Sequence, residues 1–337
     1  MTQPDKMDYP RIASYLLAAA ALLLILHSGL LAALYSGLLV YALVHMTAPM
    51  LSSRLSSQGA RLVSVAVLGS LIVLLLVLTG WGATRFFLSD AGSLPVLMKK
   101  TADLIEQSRS QIPAWLAAYL PDSAEALQLT LTTWMREHAV EAKYIGEQTG
   151  RTLVHLVAGM VIGAMAALYD TTRVHGFLPL AAAMHQRVAN LHLAFRQIVF
   201  AQVRIAAINA VFTGIFLAAV LPLADIRLPF VKTLILLTFV AGLLPVIGNL
   251  ISNTAIVIVG LSHSLSTALI ALSFLVAIHK LEYFLNAKII GSQINARAWE
   301  LLSAMLIMEA LFGIPGVIAA PVFYAYLKWE LSAVRLV

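Results

Sequence analysis

His279, Glu282 and Asn286 recur at i, i+3 and i+7 at the end of an apolar run, so one helix face carries all three as a polar stripe. A carboxylate near the centre of a membrane helix costs roughly 2.5–3.5 kcal/mol on insertion scales, so Glu282 is expected to be retained for a partner or a pathway. The chemistry it offers is the uptake and release of a proton during a cycle; the alternative is an interfacial ion pair with Lys280 or Lys288. Glu309 lies three residues before Phe312 and is the deepest acid by sequence. It reads either as a proton or cation relay or as a protonated acid in an interhelical hydrogen bond.

Two apolar runs are cut by residues that a lipid-facing helix does not choose. Pro245-Val246-Ile247-Gly248-Asn249, followed by Ser252, Asn253 and Thr254, cuts the first, and Phe312-Gly313-Ile314-Pro315-Gly316, with Pro321 beyond, cuts the second. Peptide groups freed in hydrocarbon cost several kcal/mol apiece, so both breaks must face protein or water. The pieces beside them, 250–262, 301–312 and 317–327, have the length of half-spanning helices. Paired interruptions of this kind point to a transporter binding site, and a helix start of the form Pro-x-x-Gly-Asn presents free amide hydrogens to an anion or a polar oxygen. Each break taken alone could equally be a kink used for packing. As kinks they place the basic loop 286–300, with Lys288 and Arg297, outside; as re-entrant hairpins over 231–262 and 301–327 they place it inside, and the charge pattern favours the hairpins.

The elements that must position these residues follow from composition. In 337 residues, 61% are hydrophobic and 11% charged, against about a quarter charged in soluble domains. The fold class is therefore all-α polytopic membrane protein, with about eight transmembrane helices including the broken hairpins. Strong spans fall near 12–27, 30–50, 62–82, 153–169 and 205–223. The first is read as a retained anchor, because Asp5 and Asp8 precede it and a second span follows at once. The net charge of +6 is read as loops on one membrane side, with no nucleic acid as partner.

Short cytoplasmic loops concentrate Lys and Arg. The 51–61 loop holds Arg54 and Arg61 with no acid, residues 85–151 hold seven bases against eight acids, and 170–204 holds four arginines against Asp170. This orients both termini to the cytoplasm. Four regions are expected: helices 1–3 over 1–84, an extracytoplasmic helical insert over 85–151, span four with a cytoplasmic amphipathic helix over 152–204, and a transport core over 205–337. In the insert, Asp122 and Glu125 form a capping box. His185, His192 and Arg196 share one face of the amphipathic helix, which reads as a headgroup contact or as a cytoplasmic gate. His45 and His155 read as lone packing residues within spans.

The chain carries no G-x-x-x-x-G-K-[ST] loop, no H-E-x-x-H, no G-x-S-x-G and no T-V-G-Y-G filter, and it has no cysteine. No catalysis, metal or cofactor is expected.

The order of spans, insert and paired breaks resembles the AI-2E family, also called PerM-like permeases. Gln202 and Gly214 fit its fifth-span pattern, and Pro245 and Gly248 its Pro-x-x-Gly motif. Glu282, Asn286 and Gly291 fit its acid-containing motif, and Phe312, Gly313, Gly316 and Pro321 its terminal F-G-x-x-G then P motif. Asn249, Ala255 and Ala287 stand where members usually have proline, Ser252 where glycine is common, and Glu300 and Glu309 replace a usual proline and glycine. The resemblance implies export of the quorum signal autoinducer-2 or a related small polar molecule, sodium/proton antiport in some members, and assembly as a homo-oligomer.

The leading expectation is a secondary transporter of a bacterial inner membrane that exports a small polar solute. Its pathway is expected to involve Pro245, Gly248, Asn249, Ser252, Asn253, His279, Glu282, Asn286, Glu309, Gly313 and Gly316, with Glu282 coupling protons. A cation/proton antiporter using Glu309 and Glu282, and a non-transporting scaffold that binds partners through the insert, are the alternatives. The partners expected are the lipid bilayer, the solute and H+ or Na+.

Overall fold

The computed structural model describes residues 9–52, 56–88, 139–169, 176–243, 247–261, 263–289 and 297–334, with 126, 129, 133 and 137 singly. Every regular element among these residues is helical. They are α1 (Tyr9–His27), α2 (Leu31–Leu51), α3 (Ser57–Leu88), α4 (Ala139–Leu168), α5 (Pro179–Ile215), α6 (Val231–Gly242), α7 (Ile247–Leu261), α8 (Leu265–Ile289) and α9 (Ala298–Ala333). A π-helical turn, Phe216–Val220, and a short helical end, Leu221–Leu223, continue α5. Wider π turns relieve the crowding of a following proline, here Pro222.

Five described helical stretches are long and apolar enough to cross a membrane by length and composition: Tyr9–His27, Leu31–Leu51, Glu147–Leu168, Pro179–Leu223 and Trp299–Ala333, the last folded into two legs. The chain is a multi-pass helical membrane protein. At 1.5 Å per residue the 45 residues of Pro179–Leu223 reach about 67 Å, twice the roughly 30 Å of hydrocarbon, so a large part of this rod must lie beyond the apolar layer. The amphipathic segment and the fifth span expected from the sequence are thus one uninterrupted helix. Most of the 85–151 insert, including Asp122 and Glu125, lies outside the described residues.

Backbone contacts divide the chain into two compact units. The first comprises Met1–Ser70, Gly150–Ala201 and Ala287–Val337; the second comprises Leu71–Thr149 and Gln202–Asn286.

In the first unit, α2 and α4 touch backbone to backbone. A side chain added at Gly159 would strike the Ala33 carbonyl, and one at Gly163 the backbone of Gly37. The Ser36 hydroxyl donates across this seam to the Leu156 carbonyl at 2.9 Å. Small residues permit such approach, which supplies the dispersion contacts that hold helices together where water does not drive association.

The long element α9 is a hairpin. Gly313 leaves the helix at φ 62°, ψ −145°, a region that essentially only glycine occupies, and splits α9 into a first leg, 298–312, and a second, 314–333. Both Tyr324 and Lys328 bond to Glu300, the lysine at 2.7 Å. In an unbroken helix the Glu300 and Tyr324 backbones would stand about 36 Å apart, so the second leg must fold back along the first. Gly316 lies against the Met308 carbonyl, where any Cβ would collide. Pro315 occupies the first turn of the second leg, where a missing N–H removes no helix bond. Leu26, Leu31 and Ala319 pack with Met308 and Phe312 beside this turn.

The pieces beside the breaks are longer than expected. α7 has 15 residues and absorbs Ile247 and Gly248. The second leg of α9 begins directly after Gly313 and runs to Ala333, because only one residue of the five-residue break is non-helical.

Candidate functional site

The second unit gathers polar side chains from four helices. On the C-terminal part of α5, Asn209 and Thr213 are one turn apart and therefore share a face. On α6 the corresponding residue is Thr238. On α7, Asn249, Ser252 and Asn253 follow the i, i+3, i+4 rule, and on α8 so do Leu275, Ile278 and His279. All nine line one cavity of about 10 Å³, room for about a single water molecule. Asn209, Thr213, Thr238 and Ser252 are buried, the last only 1% exposed.

The break before α7 makes this convergence possible. α6 and α7 pack against one another, and Gly248 rests on the Ala241 carbonyl, where a Cβ would overlap backbone. Gly242 in turn rests on Ala206 of α5, and the Gln202 amide donates to the Gly242 carbonyl at 2.7 Å. That bond satisfies one of the carbonyls a helix C-terminus leaves open. Phe216, Leu217, Leu221, Leu234, Ile256 and Leu275 form an apolar cluster that shares Leu275 with the cavity wall, with Phe216 and Phe274 stacked at 3.9 Å.

Two hydroxyls at the cavity have their protons committed locally. Thr238 donates to the Leu234 carbonyl at 2.8 Å and Ser252 to the Asn249 carbonyl at 3.4 Å. Their oxygens keep lone pairs that can accept, while the side-chain amides of Asn209, Asn249 and Asn253 each carry a donor and an acceptor. Among its lining residues the wall holds no carboxylate, and His279 is its one titratable side chain. Such a wall has the donors and acceptors that could replace water around a neutral polar molecule or a small cation.

A sequence model of the AI-2E family transporters matches residues 12–335. The chain belongs to the AI-2E transporter family. No curated protein matches it. Membership makes the chain a permease-type transporter, and the polar cavity lies within the stretch that carries the family's fifth-span and Pro-x-x-Gly residues.

Of the pathway residues expected from sequence, Asn249, Ser252, Asn253 and His279 are brought together here, while Gly248 lies against Ala241 at the α6–α7 contact and does not line the cavity. Glu282 and Asn286 continue α8 one and two turns past His279, their side chains outside the described set. Pro245 also lies outside the described residues. Glu309, Gly313 and Gly316 belong to the first unit, where Glu309 is exposed on the first leg of α9 one turn before the reversal. Asn209, Thr213 and Thr238 were not expected; their signal is the one-turn spacing of Asn209 and Thr213 inside an apolar span.

The three gate candidates do not form one cluster. His192 meets the Tyr41 ring edge-on at 4.8 Å, and Tyr41 lies 4.1 Å from His45, whose Nδ1 is 2.9 Å from the Tyr41 carbonyl. His45 thus bonds and packs within α2, against Tyr41 one turn earlier, and Tyr41 in turn meets His192 of α5. His185 sits beside Phe177 and Arg196 is exposed. On the same helix the buried Arg187 pairs instead with Glu330 of α9, which also accepts from Asn190 at 3.0 Å, and the Arg187 guanidinium covers the Tyr15 ring at 4.3 Å. Counting Arg187 as a loop charge missed this network.

Proposed function

We propose that the cavity between α5, α6, α7 and α8 is the constriction of a secondary transport pathway that exports a small polar solute, with Glu282 carrying protons. The observation that supports this reading is the convergence of seven polar side chains from four helices on one water-sized space in an otherwise apolar chain. Buried polar groups in a membrane protein are costly unless they have partners or a route to serve. A space this small corresponds to a closed constriction, which must widen to pass a solute. Glu282 follows His279 by one turn of α8, the spacing that puts two residues on one helix face. Exchange of Glu282→Gln in proteoliposomes is expected to abolish gradient-driven flux while leaving thermal stability unchanged. Flux equal to the unaltered protein removes Glu282 from the mechanism.

A second reading, cation/proton antiport, is favoured by the same small volume and by the acceptor oxygens of Thr238 and Ser252, which suit a desolvated cation. Sodium-dependent pH change in everted vesicles separates the two: its presence supports the antiporter, and its absence with solute flux intact supports the exporter.

A further inference from the structure

A larger cavity, about 570 Å³, lies between the two legs of the α9 hairpin. Its walls are apolar: Ala304, Ile307 and Met308 from the first leg face Phe323 and Leu327 from the second. At the end away from the Gly313 reversal sit Glu300, Tyr324 and Lys328, with the lysine ammonium 2.7 Å from the glutamate. Trp299 and Trp329 are exposed at this same end. Tryptophan, tyrosine and lysine together mark the level of lipid headgroups, whereas Gly313 lies about 20 Å further along the first leg. The groove therefore opens at the interface and runs inward as an oily slot, a shape matched to an amphiphile with one chain inserted.

The mouth narrows the choice of headgroup. A cation and an anion stand side by side, so a zwitterion that presents phosphate to Lys328 and ammonium to Glu300 meets opposite charge at both ends. An anionic headgroup without an amine would meet the Glu300 carboxylate. A quaternary ammonium could approach Glu300 but has no N–H to donate to it.

We propose that this groove binds one acyl chain of phosphatidylethanolamine, its headgroup held by Lys328 and Glu300. The site is separate from the polar cavity and does not depend on the transport reading.

Native mass spectrometry of the full-length protein, delipidated in detergent and incubated with equimolar phosphatidylethanolamine, phosphatidylglycerol and phosphatidylcholine, tests it. Phosphatidylethanolamine is expected to be retained about tenfold over the other two, the ratio one charge-assisted hydrogen bond supplies. Ala304→Phe, which fills the slot, is expected to remove the retained lipid without lowering the melting temperature; Leu327→Trp is the second filling variant should the first fail to fold. Glu300→Gln is expected to erase the preference over phosphatidylglycerol while an acyl chain still binds. Equal retention of the three lipids, or undiminished lipid in a folded filling variant, overturns the proposal.

Discussion

Replacing Arg187 by Met should damage the protein more than replacing Arg187 and Glu330 together. Glu330 is 4% exposed and receives Arg187, the Asn190 amide and the Tyr326 hydroxyl, so removing Arg187 leaves a buried carboxylate with neutral donors alone. Breaking a buried pair from one side costs about 3–5 kcal/mol. At roughly 2 °C per kcal/mol for a large domain, the apparent melting temperature in detergent should fall by about 6–10 °C. The pair itself is imperfectly satisfied, because Arg187 Nε has no hydrogen-bond partner among the described residues. Apolar replacement of both partners should therefore recover most of the loss, as the desolvation of two charges is relieved at once. The measurement is a double-mutant cycle of Arg187→Met, Glu330→Leu and the combination, followed by thermal unfolding. A combined variant no more stable than Arg187→Met alone would refute the claim that an uncompensated charge, and not lost packing, sets the cost.

Gly248→Val should drive the α6–α7 hairpin apart at Ala241, at an overpacking cost of about 1–3 kcal/mol, and lower flux together with the melting temperature. Gly313→Ala should cost about 1–3 kcal/mol through backbone strain alone, seen as a lower melting temperature with an unchanged helical circular-dichroism signal. Asn209→Leu and Ser252→Val should each reduce solute flux about fivefold or more, the factor for a lost hydrogen bond of roughly 1 kcal/mol, with stability measured in parallel to separate pathway from fold.

The spans were legible because twenty apolar residues in a row have few alternatives, and the breaks were legible because proline and glycine change the backbone irrespective of context. The hairpin reading rested on the charges of the 286–300 loop; the bond from Lys328 to Glu300, 28 residues apart, is what a reversed chain produces and a kinked rod does not. The cavity was half legible. Asn249, Ser252, Asn253 and His279 stand out beside a break or in a polar stripe, but Asn209, Thr213 and Thr238 sit in spans apolar on every side, where no periodicity tells an inner face from an outer one. Arg187 and Glu330 are 143 residues apart, and nothing local in either neighbourhood names the other.

The reversal at Gly313 uses a single residue, so the hairpin has no slack. Adding one residue to either leg would advance every side chain beyond it by about 1.5 Å and rotate it by 100°. Glu300 would then lose register with Tyr324 and Lys328, and Gly316 would no longer lie opposite the Met308 carbonyl. Length changes, tags and engineered insertions must therefore be placed outside 298–333, because within that stretch the number of residues is as much a part of the structure as their identity.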